Sequence, residues 1–386
     1  MSDEKIQTRA IAGAGNDFPK QRPVALPIVQ TTNFLIDDEL NAAFDRGDYR
    51  TQYLYTRHSN PTVDALQRRL AELHTAEDSV CMASGMAAIS AAFVGLTEPG
   101  DGVLADTVLY GATTTFLSKY LAAMGREVVF ADFSDVDAVD SALARLARPR
   151  LVYGETFSNP LLRVLDLPRI AAQAHAVGAL LAVDNTFANP TVCRPLEHSA
   201  DIVISSLSKS VSGHSDVHGG LVCGKHEHVQ QVWHAMIHLG SCLDPHAAYL
   251  IWRGLKTISM RTDTAAENAL LICDALASHR GVERVYQPPV QDCPWLRHRG
   301  SMLAFVVQGG NKRAKALMNA LRVMVPATSL GGVETLVSLP YNTSHRTRDA
   351  QEKVGLLPGT VRLSVGCEHP DDLIADLQQA MAATHA

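Results

Sequence analysis

"DIVISSLSKSVSGHSDVHGGLVCG" (201–224) holds two apolar runs, "DIVISS" and "GGLVCG", around a loop rich in serine, histidine and glycine. Each run is short, apolar and bounded by turn residues, the pattern of a strand buried on both faces. Five more runs share that pattern: "SVCMAS" (79–84), "GVLAD" (102–106), "EVVFAD" (127–132), "RLVYGE" (150–155) and "ALLAVDN" (179–185). Helical periodicity fills most of the gaps, at 85–96, 113–124, 135–147 and 167–177. Strands alternating with helices predict an α/β domain built on a mostly parallel sheet.

Outward from this core the texture changes twice. Residues 1–60 read as an irregular arm, since Gly13, Gly15, Pro19, Pro23 and Pro27 interrupt every period. After Asn60-Pro61, the spacing of Val63, Leu66, Leu70 and Leu73 begins a helix. Beyond Pro245 a long helical pattern over about 247–279 precedes "SMLAFVVQGG" (301–310), a helix at 311–321 and strand-like pieces ending in "TVRLSVG" (360–366). The expected division is an arm (1–60), a large α/β domain (61–250) and a smaller α+β domain (251–386) with an antiparallel sheet.

Bulk properties narrow the function. The chain has 386 residues, 46% hydrophobic, with a formal net charge of −6, so no basic field recommends nucleic acid or an anionic membrane. No run of 18 apolar residues exists, and "MSDEKIQTRA" is too polar for a signal peptide. Seven scattered cysteines without a C-x-x-C pair read as free thiols of a cytoplasmic protein. Sixteen histidines without H-E-x-x-H spacing indicate no metal site.

In open α/β sheets ligands sit beyond the carboxyl ends of the strands, and four expected strand ends carry chemistry. "SVCMASGMAA" closes a strand on Ser84-Gly85-Met86 and opens a helix, which is a phosphate site as well as a plain strand–helix turn. Asp184 ends an aliphatic run, either as a cap for the next segment or as the partner of a ligand cation. Lys209 follows "DIVISS" with no charged face around it, and apolar walls would depress its amine and favour nucleophilic chemistry. Glu155 and Asn159 flank a fourth end in "YGETFSNP", placed for polar contact with a cofactor or substrate. A phosphate cradle, an acid for a ring nitrogen and an amine for an aldehyde are the three grips that pyridoxal 5'-phosphate (PLP) needs.

The ordered strings "PIVQTTNF", "YTRHSNPT", "ASGMAAI", "LYGATTTFL", "ETFSNPLLRVLDL", "VDNTFANP", "SSLSKSVSGHSDVHGG", "WRGLKTISMR", "SLGGVETL" and "VRLSVGCEHPDDLIADL" span nearly the whole chain. Together they resemble the PLP enzymes of cysteine and methionine metabolism, among them cystathionine γ-lyase, cystathionine β-lyase, cystathionine γ-synthase and methionine γ-lyase. The resemblance implies a fold-type I, aspartate-aminotransferase-like architecture. It implies that Lys209 holds the cofactor and moves protons between substrate carbons, that Asp184 keeps the ring nitrogen protonated, and that Tyr110 stacks on the ring and assists proton transfer. Gly85, Met86, Ser206, Ser208 and Thr186 would complete the cofactor's contacts, with Tyr55 and Arg57 reaching the cofactor of a neighbouring subunit. Arg362, Ser329 and Asn159 would hold the substrate α-carboxylate, with Thr328 beside them. Shared sites imply a dimer, paired into a homotetramer.

The resembling family divides by chemistry. Thr328 stands where γ-lyases and γ-synthases carry Glu, enterobacterial β-lyases Tyr and methionine γ-lyases an apolar residue. Ala112 stands where methionine γ-lyases carry Cys, and Leu207-Ser208 where Ala-Thr is common. The strings "LYGATTTFL", "RPLEH" and "LDPHAA" nevertheless lie nearest methionine γ-lyases. The expected activity is elimination from methionine, homocysteine, cystathionine or cysteine, giving a thiol, a 2-oxo acid and ammonia. The alternatives are thiol replacement on an O-acylated homoserine and a non-catalytic descendant, against which the presence of Lys209, Asp184 and Arg362 argues.

Overall fold

A computed structural model describes residues 23–47, 50 and 52–384, so the start of the expected arm, before Pro23, lies outside the described residues. Seven strands form the first sheet: β1 (Asp78–Met82), β2 (Gly102–Asp106), β3 (Glu127–Ala131), β4 (Pro149–Glu155), β5 (Leu180–Asp184), β6 (Ile202–Ser206) and β7 (Gly220–Gly224), in the order β1-β7-β6-β5-β4-β2-β3. All pairings are parallel except those that β7 makes with β6 and β1. The polar loop of the opening stretch returns the chain directly from β6 to β7, and without a crossover helix that reversal has to be antiparallel.

Alternate residues of each central strand feed opposite cores. Leu151 and Tyr153 of β4 pack with the helices 85–96 and 226–239, while Val152 packs with the helices 136–145 and 167–176. Fully buried Phe93 and Tyr153 pack with their rings tilted and their centroids 5.2 Å apart. Burying each such side chain stabilises the fold by roughly 1.5–3 kcal/mol. A third cluster covers the β1–β7–β6 end with the helices 61–74 and 245–255.

Three expectations are corrected. "EVVFAD" is one of the two edge strands, with Glu127 exposed and Val128, Val129 and Phe130 only partly buried, because among the described residues no strand lies beyond it. The helix expected at 113–124 begins at Gly111 and passes at Phe116 into a π-helix through Leu121. There the hydroxyls of Thr114, Thr115 and Ser118 each return to the carbonyl four residues back and compete with the regular ladder. The long pattern at 247–279 is two helices, Pro245–Leu255 and Ile258–Ala277. The chain breaks between them so that Arg261 can turn its guanidinium back onto the carbonyls of Gly254, Ser210 and Val211.

The second sheet has β8 (Val282–Tyr286), β9 (Met302–Val307), β10 (Val325–Pro326), β11 (Leu336–Ser338) and β12 (Thr360–Ser364), in the order β10-β11-β12-β9-β8. It is antiparallel except for the short β10–β11 pair. The helices 258–277, 310–320 and 370–383 bury its apolar face.

Candidate active site

The carboxyl ends of β1, β2, β4, β5 and β6 lie along one edge of the first sheet, and Glu155 and Asp184 are register neighbours there. Beyond β1, Ser84 caps the helix 85–96 by accepting the Ala87 amide at 3.1 Å. The amides of Gly85 and Met86 are left without a protein acceptor among the described residues. A Cβ built on Gly85 would lie 2.8 Å from Ser206 Cβ, so only glycine lets β6 approach this helix start so closely.

Asp184 ends β5 with Oδ1 accepting the Thr186 amide at 2.9 Å and Oδ2 accepting the Tyr153 hydroxyl at 3.3 Å. No basic side chain pairs with it among the described residues. Burial raises its pKa, and the Thr186 and Tyr153 hydrogen bonds only partly oppose this. Asp184 caps the following turn through the Thr186 amide. Thr186 ties this end to the next strand, because its Oγ1 accepts the Ser206 amide at 2.8 Å.

Lys209 lies in the turn after β6 and donates from Nζ to Ser329 Oγ at 2.8 Å. Burial first, and then the Arg362 charge, lower its pKa. The Arg261 guanidinium holds the loop from behind through Ser210 and Val211. From the front, a Cβ on Gly331 (φ +76°) would sit 2.5 Å from the Ser210 amide nitrogen, so the 329–331 turn rests on the lysine loop.

Ser329 itself has φ +85°, a left-handed conformation that a side chain disfavours. Two cations hold it there, Lys209 at its hydroxyl and Arg362 Nη2 at its carbonyl oxygen, 3.1 Å away. Arg362 Nη1 donates to Asn159 Oδ1 at 2.9 Å, and its plane lies 6.0 Å from the Phe187 ring centroid. Burial lowers its pKa to about 10. Its Nε is buried with no hydrogen-bond partner among the described residues, an orphan donor that asks for an anion.

Other expected residues are placed as follows. Tyr110 follows β2 with its side chain half exposed. Ser208 lies beside the lysine, but its hydroxyl is engaged by Gly219, accepting the amide at 3.0 Å and donating to the carbonyl at 3.3 Å. Ser206 is thus the serine with its hydroxyl turned to Gly85. Thr328 is exposed beside Ser329. Tyr55 and Arg57 are exposed, the guanidinium 5.5 Å from the tyrosine ring centroid, and neither bonds to the Lys209 group of its own chain.

Sequence reasoning missed Tyr153, Arg261 and His345. A phenol in an aliphatic strand needs a polar partner, which was the available signal for Tyr153. His345 is buried, with Nδ1 2.8 Å from Ser344 Oγ, and burial first, then Arg362, lowers its pKa. No local pattern marks it or Arg261.

The set fits PLP: free amides at a glycine-only approach for a phosphate, an unpaired carboxylate for a ring nitrogen, and a depressed amine. The orphaned Arg362 donor adds a place for an amino-acid carboxylate.

Comparisons with known proteins agree. A family model described as "Cys/Met metabolism PLP-dependent enzyme" matches residues 7–382. L-methionine gamma-lyase of Fusobacterium nucleatum is 37% identical over 370 residues, covering 93% of each protein. Cystathionine gamma-lyase of Bacillus subtilis is 34% identical, covering 98% of this chain and 99% of that one. The crystal structure of cystathionine gamma synthase from Xanthomonas oryzae pv. oryzae, in complex with aminoacrylate and cysteine, superimposes with a TM-score of 0.87 at 35% identity, over 94% of this chain and 93% of that one.

Proposed function

The chain belongs to the Cys/Met metabolism family of PLP-dependent enzymes, and we propose that it is a carbon–sulfur lyase acting on methionine, homocysteine, cystathionine or cysteine. Water is consumed, and a thiol, a 2-oxo acid and ammonia are released. The observation that carries this is the Lys209 amine, 2.8 Å from Ser329 Oγ and depressed by burial and by Arg362. A lowered amine pKa favours the neutral form that acts as nucleophile and base.

Each residue has a part in the proposal. Arg362 binds the substrate α-carboxylate with Nε and the donors that Asn159 and the Ser329 carbonyl leave free. Ser329 and Asn159 orient that guanidinium, and Thr328 stands at the outer, distal side. Lys209 takes the α-proton and carries it between substrate carbons, while Tyr110 protonates the departing sulfur. Asp184 and Thr186, with Gly85, Met86 and Ser206, hold the cofactor, while Ser208, its hydroxyl engaged by Gly219, shapes the lysine loop instead. PLP, when bound, supplies an electron sink for negative charge developing on the substrate. Tyr55 and Arg57, exposed together, complete a neighbouring subunit's site, and the assembly is a homotetramer. We take 61–250 as the cofactor-holding domain, 251–386 as the second domain and 1–60 as the arm. The seven unpaired cysteines support a cytoplasmic setting. Among the described residues no helix is long and apolar enough to cross a membrane.

The likeness to a cystathionine gamma synthase favours one second reading, replacement on an O-acylated homoserine by an added thiol. The same residues would serve it. Purified protein should show a yellow cofactor band that borohydride abolishes by fixing the group to Lys209. A panel of methionine, homocysteine, cystathionine and cysteine should yield a 2-oxo acid from at least one. Turnover of an O-acylated homoserine only with added thiol would select replacement instead. No product from either arm overturns both.

A further inference from the structure

Glu155 ends β4 in register with Asp184, is buried, and has no basic partner among the described residues. Its Oε1 accepts the backbone amide of Tyr110 at 2.5 Å, across 45 positions of sequence. Tyr110 stands at the start of the helix 111–115, and among the described residues its amide has no other acceptor. The Tyr110 carbonyl is taken at 3.1 Å by the Thr114 amide. Both backbone groups of Tyr110 are therefore fixed, one by its own helix and one by the residue beside Asp184.

We propose that Glu155 is the positioning residue for Tyr110: its carboxyl oxygen locks the tyrosine backbone to the strand end that carries Asp184, setting the ring's place over the cofactor. The inference rests on the assignment of Tyr110 and Asp184 to the PLP site. It concerns Oε1 alone and leaves the expected contact of Glu155 with cofactor or substrate to the other carboxyl oxygen. Desolvation first, and then the Asp184 charge, raise the pKa of Glu155 well above the usual carboxylate range, with Asp106 adding to the rise. Asp184, Asp106 and Tyr153 are the titratable groups facing it. A neutral acid in that position has the shape and acceptor of glutamine.

The test uses holoenzyme purified with PLP and three variants: Glu155→Ala, Glu155→Asp and Glu155→Gln. Wild type must first show the cofactor band, whose absence sinks the assignment of the site rather than this inference. Given the band, Glu155→Ala should weaken its circular dichroism and lower kcat about 10²-fold, the scale of a misplacement of about 1 Å, with little change in KM. Glu155→Gln should restore most of both, since its carbonyl still accepts the amide. If Glu155→Ala fails to fold, Glu155→Asp, which retracts the acceptor by one methylene, is read in its place. A dichroic band and kcat untouched by Ala or Asp overturn the proposal. So does a Gln variant as damaged as Ala, because the residue would then act through its charge.

Discussion

Asp184 and Asp376 are both largely withdrawn from solvent, yet they are treated in opposite ways. Asp376, on the helix 370–383, is 4% exposed and accepts the amides of Arg322, Val323 and Met324 at 2.8, 2.9 and 3.0 Å, with Gln379 as a further donor. Burial alone would raise its pKa, but these donors outweigh it and the net shift is downward. Asp184 receives one amide and one phenol, and burial prevails. The helix aspartate is saturated by its own fold and serves to fasten the 322–324 turn. The strand-end aspartate is left underpaired, and a buried charge in that state is useful only if a ligand completes it. Lys209 and Arg362 share that condition on the cationic side of the site.

The largest break in this contrast comes from removing an underpaired group. Lys209→Ala should cut turnover by at least roughly 10²–10⁴-fold, the range for losing a general base alone. Thermal stability of the cofactor-free protein should be unchanged, because among the described residues the amine's one hydrogen bond is to Ser329. Multiple turnover by this variant would remove Lys209 from the chemistry. Next, Asp184→Asn should cost about 10²-fold in kcat, the scale of deleting one preorganised electrostatic group. It should weaken cofactor binding without lowering the melting temperature of the cofactor-free protein. Asp376→Asn should do the reverse. Chemical denaturation should show a loss of roughly 1.5–3 kcal/mol, the worth of a hydrogen bond to a charged group, with the cofactor band intact. The depressed pKa of Asp376 makes its contribution present above the unfolded value and lost as pH falls through the folded one. Equal destabilisation by the two Asn variants would abolish the distinction.

The same contrast separates what could be read in the sequence from what could not. Gly85, Asp184 and Lys209 were legible because each closes an apolar run at a strand end, and strand ends on one side of a parallel sheet converge by topology. The Glu155–Tyr110 bond was not legible, because it joins a side chain to a backbone amide 45 positions away. Asp376 sits in "LIADLQQ", where it passes for a solvated helix position, and its partners lie 52 to 54 residues earlier. The break at 256–257 was hidden for the same reason, since its cause is Arg261 reaching carbonyls 50 and 51 residues upstream. Periodicity reports faces and ends, whereas tertiary hydrogen bonds leave no local trace.

His74 carries the contrast to its limit, a buried titratable group with no hydrogen-bond partner among the described residues. It lies in the last turn of the helix 61–74, fully buried, with both ring nitrogens unbonded. Burial, aided by the nearby Arg194 charge, pushes its pKa down to about 4. A depressed histidine pKa means the fold holds the neutral ring, so its contribution is intact above the unfolded value of 6.5 and is lost as pH falls toward 4. At pH 5 the deficit is about 2 kcal/mol relative to neutral pH. His74→Leu, similar in volume and without a proton to take up, should match wild type at pH 8 and exceed it by about that amount at pH 5. Denaturation midpoints at the two pH values check this. A Leu variant as acid-sensitive as wild type would place the weakness elsewhere, in the underpaired groups of the site.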